Sequence, residues 1–158
     1  MSKQITKKTN TKHPKSSNNF GPETDGIDHI NIYSKGKTKL GKLLSNFANT
    51  PFCYQGTTYQ SVEGALYYYR TGDIRLIPMH GNAAKKLGRS LIQNKVETPA
   101  VLKAWLYAKV FANPEIIDML IKNSLPYSHY YVMYGKKIDA DISLAELWRE
   151  ITTMIKKQ

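Results

Sequence analysis

The apolar region of the chain opens with a segment whose isoleucines alternate with polar residues. This alternation covers residues 29 to 33 and has a period of two, which predicts a short strand. Residues 35 to 41 contain two glycines and predict a loop. Residues 51 to 59 carry aromatic and β-branched side chains on both sides of Gln55-Gly56, which predicts a hairpin.

Helical periodicity dominates the rest of the chain. Helices are predicted to begin near Gln60 with Ser61 as N-cap, near Asn82, at Thr98-Pro99, at Asn113-Pro114, and at Ser143, which has the capping-box spacing to Glu146. The helix from Thr98-Pro99 carries only two charged residues through Phe111, so we expect it to be central and buried. The helix after it is predicted to end at Leu125-Pro126. Residues 129 to 134 predict a strand.

These elements predict an α+β fold, a mainly helical single domain with a small antiparallel sheet. Residues 1 to 25 are rich in Lys, Thr, Ser and Asn and nearly free of large apolar side chains. Such a segment buries too little surface to offset the entropy of ordering. The sequence therefore predicts a flexible basic N-terminal arm over residues 1 to 25 and one domain over residues 26 to 158.

The charge balance favours a phosphate-bearing partner. The chain has 23 Lys and Arg against 12 Asp and Glu, a net charge of +11. Residues 1 to 25 hold five Lys against Glu23 and Asp25, so +3 lies there and +8 in the rest. Charge alone does not separate a nucleic acid from a dinucleotide, or either from a role in solubility.

Neither a membrane span nor a secretory signal is recognisable in the sequence. The single cysteine, Cys53, fits a reducing compartment. We therefore expect a cytoplasmic protein of a bacterial cell, either bacterial or phage-encoded, with no membrane partner. Metal-ligand, Walker and Rossmann motifs are missing, and the four histidines have no ligand spacing, so neither a metal nor a cofactor is expected.

Two features of the residues could carry chemistry. Glu63 lies in the first turn of the helix near Gln60, on a face shared with Tyr67 and Arg70 that could line a cleft. The helix dipole there favours an ionised carboxylate, which suits stabilisation of an oxocarbenium ion; the same glutamate could simply strengthen the helix start. Tyrosines, 11 in all, cluster at residues 67 to 69 and 127 to 134 and could stack on bases or pack in the core.

Four segments resemble the ordered motifs of the NADAR family. They are IleAsnIleTyrSer at 30 to 34, LeuLeuSerAsnPheAlaAsnThrProPhe at 43 to 52, SerValGlu at 61 to 63 and AlaAlaLysLysLeuGlyArg at 83 to 89. The resemblance covers residues 28 to about 151 and implies the YbiA-like fold of that family. Residues 29 to 38 and 125 to 135 look more like the branch linked to DNA ADP-ribosylating toxins or phages than like the riboflavin-linked branch.

The resemblance implies an N-glycosidase that removes ADP-ribose from guanine in DNA, as an antitoxin or a phage counter-defence. Its substrate would be ADP-ribosylated DNA or an ADP-ribose-containing nucleotide, and a cognate ADP-ribosyltransferase toxin would belong to the same system. The alternatives are a glycosidase acting on free nucleotides or riboflavin-pathway intermediates, and a non-catalytic module that binds ADP-ribose or nucleic acid.

The resemblance also implies a set of site residues. Glu63 would be the essential carboxylate, and a lysine, for which Lys35 is the candidate, could react with the opened ribose as an amine or bind phosphate. The other candidates for substrate binding are Tyr33, Ser34, Lys37, Asn46, Phe47, Tyr67, Arg70, Lys85, Arg89, Trp105, Tyr131, Tyr134 and Gly135.

The chain departs from the family pattern at two positions near Glu63. Many relatives have His directly after the glutamate and Lys seven positions after it, whereas this chain has Gly64 and Arg70. Arginine cannot form a Schiff base as lysine can. These departures keep the non-catalytic alternative open.

Overall fold

The computed structural model describes residues 12 to 158. The helices of this range are α1 (Lys39–Leu44), α2 (Val62–Thr71), α3 (Gly81–Ser90), α4 (Pro99–Ala112), α5 (Pro114–Lys122) and α6 (Ser143–Lys156). The strands are β1 (Ile30–Asn31), β2 (Phe52–Tyr54), β3 (Thr57–Tyr59), β4 (Tyr127–Ser128), β5 (Tyr130–Met133) and β6 (Lys136–Asp139).

The predicted α+β class with a helical majority is confirmed, and the sheet is more divided than expected. In the described range the strands form three separate pairs: β1 with β4 in parallel, and β2 with β3 and β5 with β6 as antiparallel hairpins. The parallel pair joins Ile30 to Tyr127 and brings the first strand against a segment that lies far along the chain. Its strands are too short to be recognised as partners from their sequences.

The predicted starts of α2 and α4 are confirmed. The Ser61 hydroxyl accepts a hydrogen bond from the Gly64 N–H, and the Thr98 hydroxyl accepts one from the Val101 N–H, as N-caps do. The β2–β3 turn places Gln55 at φ 50° and Gly56 at φ 80°, the left-handed conformation that two-residue hairpin turns require.

Other boundaries differ from the prediction. Helix α1 begins inside the predicted loop of residues 35 to 41, because the Thr38 hydroxyl caps the Gly41 N–H. Helix α5 ends at Lys122, before Leu125-Pro126. Within α4 the Trp105 side chain is buried, as expected, but Phe111 is exposed.

The C-terminal region also contains one element and one cap that the sequence analysis missed. The predicted strand of residues 129 to 134 is the first strand of a hairpin, which continues into β6 after the Tyr134-Gly135 turn. The capping box at Ser143 does not form. Asp141 accepts hydrogen bonds from both the N–H and the hydroxyl of Ser143, because it lies two residues before it.

The predicted flexible arm lies partly outside the described residues, which begin at Lys12. Residues 12 to 25 differ from the prediction because they pack on the domain. The His13 ring stacks on Tyr127 with 4.9 Å between ring centroids, and the Ser16 hydroxyl donates to the Ala145 carbonyl. Specific hydrogen bonds and two ring contacts, the second between Phe20 and His29, thus hold a segment that has few apolar side chains.

The core lies between α4, α6 and the segment around α1. Trp148 is fully buried at its centre and donates its indole N–H to the Leu44 carbonyl at 3.0 Å. Leu106 and Tyr127 are also fully buried in this cluster. Between residues 12 and 158, the structure contains no helix with the length and apolar character needed to cross a membrane.

Candidate active site

An open cleft of about 1100 Å³ lies between several parts of the fold. Its walls are the loop after β1, the end of α1 with the segment of residues 45 to 48, the first turn of α2, one face of α3, β5 with its turn, and the start of α6. This volume is at the upper end of the range for small-molecule sites, so a ligand of dinucleotide size can enter.

Glu63 is the single carboxylate among the residues that line the cleft. Its backbone N–H donates to the Asn46 carbonyl at 2.9 Å, which attaches the start of α2 to the opposite wall. The side chain is buried, with 9% exposed, and within residues 12 to 158 no group hydrogen-bonds or ion-pairs with its carboxylate. The carboxylate is therefore free to act on a ligand.

Burial raises the pKa of Glu63 to about 7, although the charges of Lys85, Arg70 and Arg89 lower it in part. Burial therefore opposes the ionised form that the sequence led us to expect, and it outweighs the charges of the three cations. Glu63 exists in both protonation states near neutral pH. A carboxylate of this kind can exchange a proton during a reaction.

Four cationic side chains line the same cleft: Lys35, Lys42, Lys85 and Arg89. None of the four forms an ion pair within the described range. Lys85 and Arg89 are four residues apart on α3 and share one helix face. The only negative group described in the cleft is Glu63, which is about half protonated at neutral pH. The four positive charges therefore favour a ligand with more than one negative charge.

Helix α3 approaches α2 closely because residue 88 is a glycine. A Cβ at Gly88 would lie 2.1 Å from Cγ of the Tyr67 ring. The ring occupies that space and is itself buried. This contact sets the distance between the helix that carries Glu63 and the helix that carries Lys85 and Arg89.

Aromatic rings form the outer part of the cleft. Tyr33 and Tyr131 meet edge to face with 5.3 Å between ring centroids. Tyr134 lies at the β5–β6 turn with φ 50° and is 99% exposed, so its ring has no protein neighbour to cover it. A planar base could stack on these rings.

His129 lines the cleft and was not among the predicted site residues. Its Nδ1 lies 2.8 Å from the Asp141 carbonyl oxygen, which requires a protonated Nδ1 and leaves Nε2 as an acceptor, 3.4 Å from the Tyr131 hydroxyl. Burial lowers the pKa of His129, so the ring is neutral at neutral pH. Strand alternation could have predicted this residue, because residues 129, 131 and 133 share one face of the strand and Tyr131 was already a candidate.

Ten of the 15 predicted site residues line the cleft: Tyr33, Ser34, Lys35, Asn46, Phe47, Glu63, Lys85, Arg89, Tyr131 and Tyr134. Lys42 was also missed, since it falls in helix α1, which the sequence analysis did not predict. The cleft therefore brings together residues from distant motifs.

The other five predicted residues lie elsewhere. Arg70 forms two hydrogen bonds to Glu97, at 2.7 and 2.5 Å, and does not line the cleft. Trp105 is buried in the core, edge to face with Tyr69. Tyr67 packs under Gly88. The remaining two are Lys37, whose backbone N–H is bound by Asp25, and Gly135, which completes the turn beside Tyr134.

Comparison with known proteins gives the fold alone. The sequence matches no family model and no curated protein. The structure is similar to the NMR structure of the E. coli protein YbiA, with a TM-score of 0.60 and 17% sequence identity over 88% of this chain and 92% of the other. The expected YbiA-like fold is confirmed by this similarity.

Proposed function

We propose that this protein is an N-glycosidase that hydrolyses the bond between ribose and a base nitrogen, with ADP-ribose attached to guanine in DNA as its substrate. One observation carries the proposal: the buried carboxylate of Glu63 faces a cleft that is lined by four cations, and none of these five groups has an ion-pair partner within residues 12 to 158. The motif resemblance to the NADAR family and the YbiA-like fold support the same reaction class.

Glu63 has the properties that this reaction requires. When the C1′–N bond breaks, its electron pair leaves with the nitrogen and the ribose becomes an oxocarbenium ion, which an ionised carboxylate stabilises. Water then adds to C1′ and gives a proton to Glu63, which passes it to the leaving nitrogen. A pKa of about 7 lets the same group stabilise the cation and exchange this proton at neutral pH.

The rest of the cleft suits the other parts of an ADP-ribosyl substrate. Lys85 and Arg89 on α3 would bind the pyrophosphate, and Lys35 and Lys42 face them from the loop after β1 and from α1. The exposed ring of Tyr134 at the mouth of the cleft could stack on a neighbouring base of the DNA strand.

The two departures from the family pattern have causes in the packing and the ion pairs of this fold. A Cβ at Gly64 would lie 2.6 Å from the Leu76 carbonyl oxygen and 2.8 Å from that of Met79, so this backbone leaves no room for a histidine. Arg70 is held by Glu97 outside the cleft. Neither position therefore favours a non-catalytic binding module over an enzyme.

The test is incubation of the purified protein with single-stranded DNA that carries ADP-ribosyl-guanine, followed by mass spectrometry. We expect wild type to release ADP-ribose and Glu63→Gln to release none. Glu115→Gln is the matched control, because Glu115 is an exposed glutamate that pairs with Lys39 outside the cleft. It should remain active.

Other outcomes would change the proposal in defined ways. Full activity of Glu63→Gln would refute the mechanism. If wild type were inactive on DNA, the same assay with free ADP-ribosyl nucleotides and riboflavin precursors would test the alternative glycosidase. Tight binding of all of these without any product would point to a binding module.

A further inference from the structure

Four successive backbone carbonyls, those of residues 44 to 47, are each bound by a different helix. This segment forms part of one wall of the cleft. The donors are Trp148 Nε1 to Leu44 at 3.0 Å, Lys109 Nζ to Ser45 at 2.9 Å, the Glu63 N–H to Asn46 at 2.9 Å and the Gly81 N–H to Phe47 at 3.0 Å. Segment 44–47 therefore connects α6, α4, α2 and α3.

Two of these donors belong to the helices that carry the site. Glu63 is the second residue of α2 and Gly81 is the first residue of α3. Backbone N–H groups in the first turn of a helix have no acceptor within that helix. Segment 44–47 supplies those acceptors, so its position determines where α2 and α3 begin relative to each other.

Lys109 is the unusual member of this set. Its side chain is fully buried in α4, and within residues 12 to 158 no carboxylate pairs with it. Its amine donates to the Ser45 carbonyl, which also accepts from the Ala48 N–H. A buried amine without a counter-ion costs stability relative to an apolar side chain of the same size.

We propose that Lys109 is a positioning residue, which holds the Ser45 carbonyl and thereby fixes segment 44–47 and the starts of α2 and α3. Through Glu63 it would then set the carboxylate relative to the cations of α3. The effect on catalysis rests on the proposed function, whereas the positioning itself does not. A residue that merely filled the core would be replaceable by an unbranched apolar side chain of similar length.

The test compares Lys109→Met with Lys103→Met by amide hydrogen exchange followed by NMR. Methionine is unbranched like lysine and one atom shorter, but it cannot donate a hydrogen bond. Lys103 lies on the same helix, is partly exposed and pairs with Glu150 outside the cleft. It therefore controls for the loss of a lysine from α4.

In Lys109→Met we expect the amides of Glu63 and Gly81 to exchange about tenfold faster, the equivalent of one ordinary hydrogen bond. The melting temperature should be unchanged or higher, because a buried amine without a counter-ion has left the core. Amides of α5 should be unaffected, and Lys103→Met should match wild type. Unchanged exchange at Glu63 and Gly81, or a uniform increase over the whole domain, would overturn the proposal.

Turnover separates this proposal from the proposed function. With active wild type, Lys109→Met should lower kcat by about tenfold and change KM less, since a displaced carboxylate affects the transition state more than binding. If wild type has no activity, the exchange result still decides whether Lys109 positions the segment.

Should Lys109→Met fail to fold, Lys109→Gln replaces it. The shorter glutamine side chain should also speed exchange of the Glu63 amide, and wild-type rates at that amide would refute the inference.

Discussion

Replacement of Glu63 by glutamine should make the protein more stable while it abolishes activity. Glutamine has nearly the same shape as glutamate but never carries a charge. The carboxylate of Glu63 is buried and has no hydrogen-bond donor within the described residues, so its ionised form is stabilised only by cations at a distance. The fold therefore becomes less stable when this group loses its proton.

The size of this loss of stability, and the pH range over which it occurs, follow from the pKa of Glu63. Burial raises it from an ordinary value of 4.5 to about 7. Below pH 4.5 both the folded and the unfolded chain hold the proton, so Glu63 contributes no difference. Between these values only the folded chain holds it, and stability falls as pH rises. At about 1.4 kcal/mol for each tenfold change in proton affinity, the full effect is about 3 kcal/mol above pH 7.

The assay is thermal denaturation of wild type and Glu63→Gln at pH 5 and at pH 8. The variant should gain about 2–3 kcal/mol relative to wild type between these two conditions, or roughly 5–10 °C in Tm for a domain of this size. Glu115→Gln, at an exposed site, should show no such gain. An equal difference in stability between wild type and Glu63→Gln at the two pH values would mean that burial does not perturb the pKa of Glu63. The reasoning about its reactivity would then fail as well.

Three further predictions concern the walls of the cleft. Tyr134→Ala should raise KM for the DNA substrate about tenfold or more by removing a stacking ring, and leave KM for a free nucleotide unchanged; equal effects on both substrates would exclude contact with a neighbouring base. Lys85→Ala and Arg89→Ala should each reduce the slope of log KM against log salt by about one, and an unaltered slope would remove that residue from the phosphate site. Gly88→Ala should destabilise the protein by about 1–3 kcal/mol in urea unfolding, because its Cβ meets the Tyr67 ring, and wild-type stability would show that α3 can move.

Signals that act over a few residues were sufficient to predict much of the fold. The Ser61 cap, the Thr98-Pro99 helix start and the Gln55-Gly56 turn all depend on hydrogen bonds or backbone angles within four residues of each position. Helix α1 was missed because Gly41 reads as a loop residue. In the structure it is needed for close packing, since a Cβ there would lie 2.1 Å from the Asn31 carbonyl oxygen.

The sequence predicted which face of a helix a site residue lies on. It did not predict which of these residues would be covered by segments that lie far along the chain. Periodicity correctly placed Glu63, Tyr67 and Arg70 on one face of α2. The three nevertheless have different environments, because α3 covers Tyr67 at Gly88 and Glu97 binds Arg70. Only Glu63 reaches the cleft. These contacts come from Gly88 and Glu97, which lie 20 to 30 residues further along the chain, so no local sequence pattern predicts them.

The electrostatics of the cleft connect substrate binding to the protonation of Glu63. Lys85 and Arg89 are among the charges that lower its pKa, and they are also the groups proposed to bind phosphate. A bound pyrophosphate would neutralise them and leave burial less opposed, so the pKa of Glu63 should be higher in the complex than in the free protein. Because kcat/KM reports the free enzyme and kcat the complex, an active ionised carboxylate requires both to rise with pH. The midpoint should lie near 7 for kcat/KM and at a higher pH for kcat. A protonated Glu63 acting as a proton donor would instead make both quantities fall over the same range, so the sign of the pH profile identifies which form of the carboxylate is active.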